Sequence, residues 1–101
     1  MYRVDVSDKA DYDLDRILSY IAVDLASPQA AASFADEVYE CYDRLEENPF
    51  IYEECRDTKL QQEGYRRAVI KNYIMLYKVY DNKLVIVHRF FYNRQNYVML
   101  I

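Results

Sequence analysis

Arginine and tyrosine interleave in two runs near the C-terminus, Gly64-Tyr65-Arg66-Arg67-Ala68-Val69-Ile70-Lys71-Asn72-Tyr73 and Tyr92-Asn93-Arg94-Gln95-Asn96-Tyr97. An arginine fork matches the oxygens of a phosphate or carboxylate, and a tyrosine offers a ring for stacking and a hydroxyl for hydrogen bonding. Residues 64–101 hold seven Lys/Arg against a single acid, Asp81, a balance of +6, whereas residues 1–63 hold six against sixteen, a balance of −10. The net charge of −4 therefore hides a basic C-terminal third. Charge segregated in this way points to a surface that grips phosphates or an acidic partner.

Other chemistries have little to stand on. Cys41 and Cys55 are too few for a disulfide framework and lack C-x-x-C spacing, so reduced thiols are expected. With one histidine, no zinc site or other metal site is expected. Gly64 is the only glycine, which excludes phosphate-cradling and dinucleotide fingerprints, and no cofactor, small-molecule or otherwise, is implied. No run of eighteen apolar residues is present, so no membrane association is expected. The opening Met-Tyr-Arg-Val-Asp-Val lacks the apolar core of a secretory signal, so a cytoplasmic location is expected. The 101 residues, 52% hydrophobic and 30% charged, suit one domain, 1–101, with a single core.

The elements that must position the basic residues follow from periodicity. Tyr2 to Val6 alternates as a short half-buried strand. Ser7 is placed as an N-cap, with Asp8 and Asp11 in the first turn, and Ala10, Leu14, Ile17, Leu18, Ile21 and Leu25 recur at helical spacing to about residue 25. Ser27-Pro28 is a second helix start, and Ala31, Phe34, Ala35, Val38, Cys41, Tyr42 and Leu45 form its apolar face up to Asn48-Pro49. So short a connection predicts a helical hairpin.

Residues Asn48 to Glu63 have no clean period and read as a loop across one end of the sheet, with a turn of structure near Thr58–Gln62. Strands are predicted over Tyr65–Lys71, Tyr73–Tyr80 and Leu84–Tyr92, broken at Asn72 and at Asp81-Asn82. Arg94 to Ile101 is a tail, apolar at Val98, Leu100 and Ile101. The order β-α-α-β-β-β gives an α+β fold: an antiparallel sheet with an N-terminal helical hairpin packed on one face. The other face should be at least partly open and display the basic and aromatic residues. Tyr73, Tyr77 and Tyr92 are the tyrosines expected there. His88 is expected on the face of Ile86 and Phe90.

The pattern Ala10-x-x-x-Leu14-x-x-Ile17-x-x-Tyr20-Ile21, then Ser27-Pro28-x-Ala30-Ala31-x-x-Phe34 and Leu45-x-x-x-Pro49, resembles the RelE/ParE superfamily of type II toxins. Gly64-Tyr65-Arg66, Asn72-Tyr73-x-x-x-Tyr77-Lys78-Val79 and Tyr92-x-Arg94-Gln95 continue the resemblance over nearly the whole chain. It implies a growth-inhibiting toxin of a toxin–antitoxin module, of the kind tied to plasmid stabilisation. Its partner would be a cognate antitoxin whose C-terminal segment wraps and silences it.

The superfamily's branches differ in target. RelE-like members cut messenger RNA in the ribosomal A site; ParE-like members inhibit DNA gyrase and are not known as nucleases. Ribosomal cleavage needs a base for the ribose 2′-hydroxyl, an acid for the leaving oxygen and cations for the phosphorane. Arg66 and Arg94 match positions where ribonuclease members place phosphate-stabilising arginines. Lys59 is the nearest candidate base in the loop Arg56-Asp57-Thr58-Lys59-Leu60. His88, Tyr92 and Tyr97 are the candidate acids.

Each also has a plain structural reading. Arg66 fits a structural cation or antitoxin contact, Arg94 a solvated charge, and His88 a hydrogen-bonded core or rim histidine. The first-helix pattern and the overall acidity favour the ParE-like branch, since a ribosome binder is usually basic throughout. The alternatives are a ribosome-dependent messenger-RNA endonuclease and an inactive co-repressor that only binds its antitoxin.

Overall fold

A computed structural model describes residues 1–101. β1 (Arg3–Val6) leads into α1 (Asp8–Ser19), α2 (Pro28–Glu47) and a short α3 (Thr58–Gln62). β2 (Tyr65–Ile70), β3 (Tyr73–Tyr80) and β4 (Leu84–Tyr92) follow. Each helix is started by a side-chain cap that satisfies an otherwise orphaned N–H. The Ser7 hydroxyl accepts from the Ala10 amide at 3.0 Å, that of Ser27 from Ala30 at 3.3 Å, and the Asp57 carboxylate from Leu60 at 3.0 Å.

The first helix does not stay regular to residue 25. Tyr20–Asp24 widen into a π-helical turn in which the Leu25 amide donates to the Tyr20 carbonyl at 3.0 Å, and Ala26 then takes φ +50°.

The sheet order is β1-β4-β3-β2. The last three strands form the expected antiparallel meander. β1 lies parallel to β4 and makes the sheet mixed; the helices and the other strands between them supply the long crossover that parallel pairing needs. In the first hairpin Lys71 rather than Asn72 adopts positive φ (53°), so β2 stops one residue earlier than its pattern suggests. The second turn, the three residues between the paired Tyr80 and Leu84, places Asn82 and Lys83 consecutively at φ 65° and 56°, the left-handed backbone that tight hairpin connections use.

A bulge corrects the assignment of faces on β4. Leu76 pairs with Arg89 and Tyr77 with Val87, leaving His88 as the extra residue. One inserted residue shifts the alternation beyond it. Phe90 therefore joins Val85 and Val87 in the core beneath the helices, and does not share a face with Ile86 and His88.

The sheet buries apolar side chains on both faces. Ala10, Leu14, Phe34, Val38, Cys41 and Leu45 of the helices meet Ala68, Met75, Tyr77, Val85, Val87 and Phe90 in the larger core. Tyr77 belongs to this core, and Tyr73 packs against it with its ring 5.1 Å from that of Phe34. Both lie on the helix side and not on the open face expected of them. The opposite face carries a second cluster of Cys55, Leu60, Tyr65, Ile74, Leu76 and Phe91, covered by α3 and by Tyr97 and Val98 of a C-terminal 3₁₀ turn. What reads as a loop and a tail thus closes much of the face expected to be bare.

Candidate functional site

Arg66 lies on β2 opposite Tyr77, on the helix side of the sheet. Its Nη1 donates to the Tyr52 carbonyl at 2.8 Å, its Nη2 lies 3.7 Å from Glu54, and its guanidinium carbon sits 5.0 Å from the Phe50 ring centroid. Only 20% of the side chain is exposed. All three partners belong to the segment 48–57, which runs along the edge of β2 as a strap. Glu54 bridges Arg66, the Cys55 amide donates to the Tyr65 carbonyl at 3.0 Å, and the Arg67 amide donates to the Glu53 carbonyl at 3.0 Å. The buried Tyr77 hydroxyl donates to the Pro49 carbonyl at 2.7 Å, anchoring the strap's start. Burial raises the Tyr77 phenol pKa above its ordinary value, so the hydroxyl stays a donor. Arg66 is committed to this strap.

Two other basic residues of the C-terminal third are also paired internally. Arg67 lies 3.7 Å from Glu53. Arg89 donates through Nε and Nη2 to Asp13 at 2.7 and 3.1 Å, and the Phe90 amide donates to the same carboxylate at 3.0 Å. Arg94 enters none of the ion pairs and stays exposed in the turn after β4. Lys59 is exposed on α3, while its neighbour Leu60 is buried in the second cluster.

His88 stands on the face opposite the helices. Its Nε2 is 2.8 Å from the Tyr80 hydroxyl, and its ring meets Tyr65 edge-on at 5.6 Å. Burial, with the Lys78 ammonium as a second cause, holds its pKa below the ordinary 6.5. Tyr92 ends β4 on the other side, its ring 5.7 Å from Tyr73 and its amide donating to the Gln95 side chain at 2.9 Å.

These positions do not converge. His88 and Tyr92 are four residues apart along a strand, about 13 Å at ~3.3 Å per residue, and point to opposite faces. Arg66, level with Val87 across the sheet, is equally remote from Tyr92, which pairs with Tyr73. Proton transfer needs groups within about 3 Å of one reacting atom, and Arg66, His88 and Tyr92 share no such point. No group of three His, Cys, Asp or Glu is placed to hold a metal. No helix is long and apolar enough to cross a membrane.

Of these residues, Tyr92 borders the main concavity. A groove of about 670 Å³ runs between α1 and the far end of β3 and β4, lined by Tyr12, Arg16, Tyr73 and Tyr92 among others. A second hollow of about 540 Å³ shares Arg16, Ile17, Tyr73 and Tyr92 with it and extends to Tyr20 and Leu25. Tyr12, Arg16 and Tyr20 stand at i, i+4 and i+8, one stripe of a helix. That spacing was the available signal, overshadowed by the apolar stripe beside it.

Residues 4–97 match the family model described as the ParE toxin of the type II toxin–antitoxin system, parDE. Among solved structures, the chain is similar to one titled as the chromosomal ParDE toxin–antitoxin system from P. aeruginosa, with a TM-score of 0.71 and 20% identity. That likeness covers 91% of this chain and 96% of the other. No curated protein matches the sequence.

Proposed function

Since the chain belongs to the ParE toxin family of type II toxin–antitoxin systems, we propose that it is a growth inhibitor that acts by binding DNA gyrase and is silenced by a cognate antitoxin. The observation that supports the binding mode is the separation of Arg66, His88 and Tyr92 across the two faces and two ends of the sheet. An RNA-cleaving site would need an acid, a base and a cation around one phosphate. Here the best-matched cation, Arg66, is tied to the Tyr52 carbonyl and Glu54.

Expression of the chain alone, followed by growth measurement and primer extension on cellular messenger RNA, tests this reading. Growth arrest without new messenger-RNA ends is expected, with growth restored by co-expression of the antitoxin. Codon-phased cleavage that disappears in Arg66→Ala and Arg94→Ala would instead establish the ribosome-dependent endonuclease. Normal growth would leave the co-repressor.

A further inference from the structure

Part of the positive charge left free by internal pairing borders the tyrosine-lined groove. Lys9 and Arg16 line it, and neither enters an ion pair. Arg16 meets only Tyr12, with its guanidinium 5.7 Å from the ring centroid and Nη1 3.4 Å from the hydroxyl. The Asn93 amide donates to the Asn72 carbonyl at 2.7 Å, which brings together the two turns that carry Lys71 and Arg94, beside the second hollow that Asn72 lines. Lys71 is held only by a 3.5 Å contact to Ser33. Of the acids lining the groove, Asp13 is already neutralised by Arg89, leaving Asp8.

Four rings stand among these cations. Tyr12, Tyr20 and Tyr92 are 61%, 47% and 39% exposed, and Tyr73 is half-buried behind Tyr92, edge-on to it. A short helix stripe and the strand ends thus supply aromatic faces on two walls, with cations spaced between them. A ring face accepts any base, and free arginine or lysine beside it tracks the backbone phosphates. The volume lies within the ~300–1,000 Å³ of ligand clefts.

We propose that this groove binds a single-stranded stretch of nucleic acid, its bases stacked on Tyr12, Tyr20 and Tyr92 and its phosphates held by Arg16, Lys9 and Arg94. The inference does not depend on gyrase being the target: the groove can bind a strand whether or not supercoiling is inhibited. Duplex is disfavoured, because its bases are stacked on one another and offer no free face to the tyrosines.

Fluorescence anisotropy of labelled twelve-nucleotide oligo-dT and oligo-U, titrated with the purified chain at low salt, reads this directly. Saturable binding is expected, weaker as salt rises, and at least about tenfold weaker for duplex of equal length. Tyr92→Ala and Arg16→Ala should each weaken it about tenfold, with unchanged thermal melting showing that the fold is kept. Lys83→Gln, at the opposite end of the sheet, should leave it unchanged. Absence of binding at low salt, equal loss in the Lys83 variant, or variants that lose antitoxin but keep the oligonucleotide would each overturn the proposal.

Discussion

Asp13 on α1 accepts both a 2.7 Å and a 3.1 Å hydrogen bond from Arg89 on β4, seventy-six residues later in the chain. With the Phe90 amide on the same carboxylate, this clamp fixes the helix against the strand and sets one wall of the groove. The two side chains are 13% and 24% exposed, so the pair is poorly screened. Asp13→Ala leaves a partly buried cation and an amide without their acceptor, which should cost about 3 kcal/mol. Urea unfolding checks this; Asp15→Ala, an exposed carboxylate on the same helix, should change stability by less than about 0.5 kcal/mol.

Arg66 and Arg94 should separate by thermal melting. Arg66→Ala removes a charged donor from the Tyr52 carbonyl and a cation from the Phe50 ring, a loss of about 1.5–3 kcal/mol. At ~4–8 °C per kcal/mol for a domain of this size, its midpoint should fall by about 6–24 °C. Arg94→Ala should melt like the parent. Equal melting of the two variants would show that the strap does not need Arg66.

Tyr77→Phe keeps the ring in the core but leaves the Pro49 carbonyl without its donor. A loss of about 1–2 kcal/mol is expected. Amide exchange should quicken in the strap 48–57 first, because its start is what the hydroxyl holds.

His88 gives the chain a pH dependence with a definite sign. Its folded pKa lies below the unfolded 6.5, so the unfolded chain binds the proton more readily as the solution is acidified. The stabilisation is therefore complete above about pH 6.5 and lost as the pH falls through that value towards the lower folded pKa. Denaturant midpoints measured from pH 7.5 down to 5 should fall in the parent and fall less in His88→Gln. Parallel curves would mean that His88 has the same affinity for protons folded and unfolded.

The helices, the meander and the turn near Thr58 were legible because each rests on local signals: Ser7 and Ser27 as caps, apolar stripes, and Asp81-Asn82 as a turn. What sequence could not carry was set by contacts distant along the chain. The extra residue at His88 is visible only against β3, and it moved Phe90 to the other face. The parallel seat of β1 depends on β4, whose Leu84 pairs with Arg3 from eighty-one residues further along. Arg66 and Arg67 read as free cations because their carboxylates, Glu54 and Glu53, sit in a segment with no period of its own. Conversely, the stripe Tyr12, Arg16, Tyr20 was present in the sequence, and its meaning emerged once Tyr73 and Tyr92 were placed across from it.

The most direct measurement for a gyrase-binding toxin is supercoiling of relaxed plasmid by purified gyrase with increasing amounts of the chain. Inhibition is expected, relieved by stoichiometric cognate antitoxin and retained in Arg94→Ala, since no cleavage chemistry is required of that residue. Undiminished supercoiling at a large molar excess of folded chain would contradict gyrase as the target.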